Sequence, residues 1–437
     1  MTIISRSSRH LLLLAAITSS AVNAEELTPV QQLGKSLFFD EHLSINQNQS
    51  CASCHQPEAG WSGPTMQFNR GGAVYEGSIQ HRFGKRKPPS AAYAAQSPVL
   101  HVDKEGLYIG GNFHDGRATG EKLGNPSADQ AQMPFVNPVE QAFSDSACVI
   151  FRACNPVTPA DYPHTFVEVL GREACAINWP DAVEQLCSTQ GVTLALSADD
   201  RIRSDDSYDR IALAIAAYEA STEVNPFSSK YDLSLAGKAE LSEQEQLGQE
   251  LYFDKGKCNL CHVADGERAL FTDYSYDNLG FPQNPLNPAG VAPDFIDAGL
   301  GGFLQDTGHT KEKYQPQWGK HKVPSLRNID LRPDKNFVKS FGHNGYFKSL
   351  EGIVNFYNTR DTKPQCPGLY SEKLALSEGC WPVPEVSANL NREELGNLGL
   401  TANEEAAIVA FLRTLSDGYQ APGAQADAPP SASVAAE

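Results

Sequence analysis

Two short runs in the chain have the residue types and spacing of a covalent attachment site: Cys51-Ala-Ser-Cys54-His55 and Cys258-Asn-Leu-Cys261-His262. Each is a C-x-x-C-H run, the pattern that carries a c-type haem. The spacing follows from the chemistry. Two thiols must reach the two vinyl groups of one porphyrin, and the adjacent imidazole then swings beneath the ring to ligate iron. One such run can be coincidence, or half of a zinc site. Two runs, each preceded by the same helical sequence, imply two covalent haem c groups with His55 and His262 as proximal iron ligands.

The elements that must position these runs are themselves repeated. Glu26 to Asp40 aligns without gaps on Glu240 to Asp254, with eight of fifteen residues identical. Thr28 and Ser242 stand where a helix N-cap belongs, and Glu245 completes a capping box in the second copy. Leu33, Leu37 and Phe38 recur at helical spacing, as do Leu247, Leu251 and Tyr252. Two tandem domains follow, from 25 to 235 and from 236 to 419. An amphipathic helix from Tyr208 to Ala220 and the breaker Asn225-Pro226 close the first. The second closes with a helix between Leu400 and Leu415, capped by Thr401 and Glu404. The fold class is mainly α: two cytochrome c-like domains whose long Gly- and Pro-rich loops wrap two covalent haems. Residues 420–437 have little to bury and read as a disordered tail.

The N-terminus supplies a location. Arg6 and Arg9 precede an apolar run from Leu11 to Ala21, and Val22-Asn23-Ala24 offers a cleavage site. Residues 1–24 read as a secretory signal peptide rather than a membrane anchor, which places the mature protein in the periplasm. Six cysteines remain outside the haem runs: Cys148, Cys154, Cys175, Cys187, Cys366 and Cys380. An oxidising compartment favours their pairing. Sequence alone leaves the connectivity open, but short loops suggest Cys148 with Cys154, Cys175 with Cys187, and Cys366 with Cys380. The first two pairs can exchange partners. The formal charge of −18 becomes −20 without the leader, since Arg6 and Arg9 leave with no acid. Such a surface repels nucleic acid and suits a basic partner, though it serves solubility equally well.

Beyond the haem runs, four segments together resemble the bacterial di-haem cytochrome c peroxidase / MauG family. Phe113-His114-Asp115-Gly116-Arg117-Ala118 is similar to its F-W-D-G-R-A segment, and Asn137-Pro138-Val139-Glu140 matches N-P-V-E. Lys322 to Asn328 matches K-V-P-[ST]-L-R-N, and Ser340-Phe341-Gly342-His343-Asn344-Gly345 resembles P-Y-F-H-D-G. The resemblance implies that the N-terminal haem meets hydrogen peroxide and the C-terminal haem handles electrons. It makes Glu140 the distal carboxylate that takes a proton from peroxide and returns it to the departing oxygen. The partners implied are hydrogen peroxide and either a small electron-donor cytochrome or a protein substrate, with no membrane anchor and a homodimer as an assembly the family allows.

Four departures from the family pattern carry information. The position of the gating histidine aligns with Ile79, so His81 reads as a loop residue, or else as a displaced ligand. The bridging tryptophan is His114, an imidazole that conducts poorly without a base; an iron-ligand role for it is the lesser reading. The family's calcium ligands align with Lys87 and Val338, which argues against bound calcium and puts the Lys87 ammonium in its place. Methionine occurs only at 1, 66 and 133, so none is available to the C-terminal haem. The equivalent position is Tyr357, which resembles the MauG branch, where a tyrosine is the ligand; His309, His321 and His343 are the alternatives. A pure di-haem electron-transfer cytochrome and a haem-based sensor are the competing functions. The first has no use for Glu140, and no signalling module is visible for the second.

Overall fold

The computed structural model describes residues 26–155, 162–288 and 295–420. The leader at 1–24, and the tail apart from Gln420, lie outside them. The chain is mainly helical. Among the described residues, β-structure is limited to two antiparallel two-residue ladders, His101–Val102 with Tyr108–Ile109 and Tyr276–Asp277 with His321–Lys322, plus isolated bridges. Among the described residues, no helix is long and apolar enough to cross a membrane.

The repeated segment forms the same helix twice, Pro29–Phe39 and Glu243–Phe253. Both begin in a full capping box. Gln31 completes it for Thr28, as Glu245 does for Ser242. The first packs on the 22-residue helix Ala198–Glu219 and the second on Ala402–Arg413. The glycine shared by both copies explains how closely they cross. A Cβ on Gly34 would overlap the carbonyl oxygen of Ala214, and one on Gly248 that of Ala407. Aromatic edges finish each crossing, Phe38 on Tyr218 at 5.7 Å and Tyr252 on Phe411 at 5.2 Å. One apolar core draws its buried residues from Leu33 to Val224 and another from Tyr231 to Leu415.

Two expectations change. The helix expected from Tyr208 begins ten residues earlier, at Ala198, with Ser197 accepting from the Asp200 N–H at 3.1 Å. That first stretch, Ala198 to Ser207, is rich in Asp, Arg and Ser. Its start is set by the cap and by acids in the first turn rather than by an apolar stripe. The disulfides also exchange: Cys148 pairs with Cys187 and Cys154 with Cys175, with Cα separations of 5.4 and 5.6 Å. Cys148 and Cys154 lie on one helix, Ala147–Cys154. Six residues of helical rise separate them by about 9 Å, too far for a bridge. Cys366–Cys380 forms as expected.

Candidate active site

Both C-x-x-C-H runs line one continuous cavity, with about 3210 Å³ of space outside protein atoms once its solvent-open parts are included. Each run folds as a single 3₁₀ turn, Cys51–Ser53 and Cys258–Leu260. The His55 N–H donates to the Cys51 carbonyl at 3.0 Å, and the His262 N–H to that of Cys258 at 2.9 Å. The four thiols in these runs are the free cysteines. His55 Nδ1 faces the Trp61 carbonyl at 3.3 Å, and His262 Nδ1 faces those of Phe271 and Pro324 at 3.0 and 3.1 Å. A carbonyl only accepts, so each Nδ1 carries the proton and each Nε2 keeps a lone pair for iron. Burial pushes His55 down to about 4 and lowers His262 as well, against nearby carbonyls that oppose the shift. Neutral imidazole is the ligating form. The free thiols, bared Nε2 atoms and cavity fit two haem c groups.

Glu140 stands on the cavity wall beside the first run. It ends a tight turn in which the Glu140 and Ala142 N–H groups donate to the Asn137 carbonyl at 3.0 and 3.1 Å, and the Val139 N–H to Asn137 Oδ1 at 3.2 Å. Burial pushes the Cys51 and Cys54 thiols up, and the Glu140 carboxyl is near enough to add to the rise at both, behind Glu219 at Cys51. Burial raises the Glu140 carboxyl above its ordinary value, with Arg117 and Asn137 opposing. His81 plays no part here. Its side chain is 91% exposed and lies 3.7 Å from Glu76, while Ile79 packs against the N-terminal core.

At the second run, Tyr357 on the helix Leu350–Thr359 shares the cavity wall with His262. Burial pushes its phenol up, with Cys261, Cys258 and Asp277 adding and Arg360 opposing. His309 is exposed. His321 and His343 stack on each other at 3.6 Å and face Asp297 and Glu385 respectively.

Over 415 residues the chain is 34% identical to the methylamine utilization protein MauG of Paracoccus denitrificans, covering 92% of this chain and 94% of that one. The family model described as di-haem cytochrome c peroxidase matches residues 29–240. This chain belongs to the di-haem cytochrome c peroxidase / MauG family. It is therefore a di-haem oxidoreductase. Among solved structures, the diheme peroxidase BthA of Burkholderia thailandensis matches with a TM-score of 0.68 and 27% identity, over 90% of this chain and 87% of that one. A MauG-like protein associated with microbial copper homeostasis matches with a TM-score of 0.58 and 25% identity, over 90% and 91%.

Within this member of the family, the region between the two haem runs is built from further repeats that the helical alignment did not reveal. An antiparallel bridge, Asn112 to Ala118, closes the loop carrying His114, and another, Phe341 to Phe347, closes the loop carrying His343. Gly116 and Gly345 take positive φ at matching points, 76° and 63°. The two imidazoles meet at 6.5 Å. Asp115 holds Arg86 at 2.5 Å and Arg117 at 3.0 Å, and Arg86 also grips Asp297 with two bonds of 2.6 Å. Burial, Arg86 and His343 hold His114 well below the usual imidazole range.

Sequence reading also passed over Arg327, the arginine of the K-V-P-S-L-R-N run. It is fully buried, bonds both Asp232 oxygens at 2.9 and 3.0 Å, and lies over Phe227 at 4.4 Å. Its role is to rivet the segment holding Pro324 against the second core. Its partner lies 95 residues away, so no local pattern announced it.

Proposed function

We propose that this chain is a periplasmic di-haem c enzyme of two tandem cytochrome c-like domains, 25–235 and 236–419. It activates hydrogen peroxide at the N-terminal haem, held by Cys51, Cys54 and His55. It passes oxidising equivalents through the C-terminal haem, held by Cys258, Cys261 and His262, to a protein partner or a small cytochrome. The observation that carries this reading is Glu140, an inward-facing carboxyl beside the first run with no histidine of the neighbouring loop turned toward it. When bound, the haems supply peroxide cleavage and storage of oxidising equivalents. Glu140 accepts the proton from one peroxide oxygen and returns it to the other, a role worth about 10²–10⁴-fold in rate. Arg117 keeps that carboxyl from rising too far to act as a base. With His81 turned to solvent, peroxide reaches the seat without prior reduction of the protein.

Tyr357 would hold the C-terminal iron opposite His262, and His114 would serve as the bridging residue between the two seats. An anionic oxygen ligand favours oxidised iron, which suits oxidation of a partner protein, as in MauG, better than turnover with a high-potential cytochrome. The Lys87 ammonium takes the place of the family's calcium. Lys87 Nζ donates to Ser62 Oγ at 3.0 Å and to the Pro88 carbonyl at 2.9 Å, filling that neighbourhood with a fixed cation; one calcium per purified chain by elemental analysis would remove this element. Peroxide added to the protein as isolated tests the whole reading, through rapid spectral conversion or its absence.

A further inference from the structure

Lys87 and Lys322 occupy equivalent places in a third repeat. The segments are Lys87-Pro88-Pro89-Ser90 and Lys322-Val323-Pro324-Ser325. In each, the second residue after the lysine lies against a haem-run histidine: the Pro324 carbonyl faces His262 Nδ1 at 3.1 Å, and the Pro89 backbone is close enough to His55 to oppose the lowering of its imidazole by burial. In each, the lysine N–H donates across to the opposite repeat. Lys322 bonds the His114 carbonyl at 2.9 Å, and Lys87 that of His343 at 2.8 Å. Both side chains line the cavity.

Among the described residues, neither ammonium has a counter-charge. Lys322 Nζ donates to Ser97 Oγ at 2.8 Å, the Gly111 carbonyl at 2.5 Å and Asn112 Oδ1 at 3.1 Å, and lies 5.2 Å from the Tyr274 ring. Among the described residues, Lys87 Nζ donates to the Ser62 hydroxyl and the Pro88 carbonyl and to no other group. The buried arginines nearby are all paired with acids, Arg86 with Asp115 and Asp297, Arg327 with Asp232. Burial drives Lys322 down to about 7 and Lys87 to about 8. A buried charge with no partner is costly, and two in matching positions call for matching anions.

We propose that Lys87 and Lys322 are equivalent cationic subsites, one per haem seat, that compensate the carboxylate side chains of the two haem groups. Haem is the anion carrier that the cavity fits, and its carboxylates lie on the porphyrin edge away from the thioether bonds. Lys322, with all three N–H groups engaged, acts by charge. Lys87 keeps one N–H free to donate directly. The proposal rests on the di-haem reading above.

The test uses the mature protein and the single variants Lys87→Met and Lys322→Met, with Lys87→Arg and Lys322→Arg as charge-preserving controls. Haem content is measured first, then both midpoint potentials by spectroelectrochemical titration. Fewer than two haems in the wild-type chain would overturn the di-haem reading itself. With two haems present, each Met variant shifts one midpoint potential to a more negative value, a different haem in each case, because a lost cation disfavours the ferrous state. The Arg variants stay near wild type. If a Met chain fails to mature, the Gln variant is read by the same criterion. Unchanged potentials in the neutral variants would overturn the proposal, since a lysine that only fills space would leave them unmoved.

Discussion

His114 Nε2 lies 3.0 Å from the main-chain oxygen of Lys87. That bond fixes the imidazole as a donor at Nε2 and sets its ring 6.5 Å from His343, between the segments that pass beneath the two haem-run histidines. His114→Phe should leave the buried Lys87 carbonyl unpaired and destabilise the fold by about 1–3 kcal/mol. It should also slow the spectral response of the second haem after peroxide reaches the first. Thermal melting and stopped-flow absorbance read these two effects separately. A response as fast as wild type would remove His114 from the bridging role.

Glu140→Gln keeps the shape of the side chain but loses the base. Both haems and the resting spectrum should be retained while peroxide reactivity falls by about 10²–10⁴-fold. The wild-type pH profile adds a second reading. The reaction needs the carboxylate form, and burial raises this carboxyl. The rate should therefore decline with falling pH sooner than an ordinary glutamate near 4.3 would require. A variant with near-normal kinetics would exclude Glu140 from the chemistry.

Gly34→Ala and Gly248→Ala should behave alike, because each places a methyl against a carbonyl oxygen of the partner helix. Overpacking of this kind costs about 1–3 kcal/mol. Denaturant unfolding of both variants measures it. A neutral effect at either glycine would mean that the helix pair crosses further apart than described.

How far the sequence revealed this molecule depended on the range of the interactions. The haem runs, the N-caps at Thr28 and Ser242 and the capping box of the second copy are local, and their spacing declares them; Glu140 was legible through the resemblance of its N-P-V-E segment. The exchange of Cys148 from Cys154 to Cys187 was hidden, because pairing depends on whether the intervening residues stay helical. Arg327 and the Arg86–Asp297 pair were hidden because their partners lie 95 and 211 residues away. The repeat carrying Lys87 and Lys322 was too short to stand out, and it emerges only when Pro89 and Pro324 are found beneath equivalent histidines.

Tyr357 sets the character of the second haem if it is the ligand. Replacement with Met should raise that haem's potential, since a thioether favours ferrous iron and a phenolate ferric. Replacement with Phe should leave the iron high-spin or recruit another group. Potentiometry and electron paramagnetic resonance distinguish these outcomes. An unchanged low-spin signal and potential in the Phe variant would exclude Tyr357, and the MauG-like preference for a protein partner would fall with it.

The most direct test of the account is one equivalent of hydrogen peroxide mixed with the protein as isolated, with no prior reduction, followed by stopped-flow absorbance. The account predicts rapid conversion of the haem spectrum in the wild-type chain and its suppression in Glu140→Gln. A wild-type spectrum that stays unchanged until an electron is first supplied would contradict the open peroxide seat, and one that stays unchanged even then would contradict peroxide activation altogether.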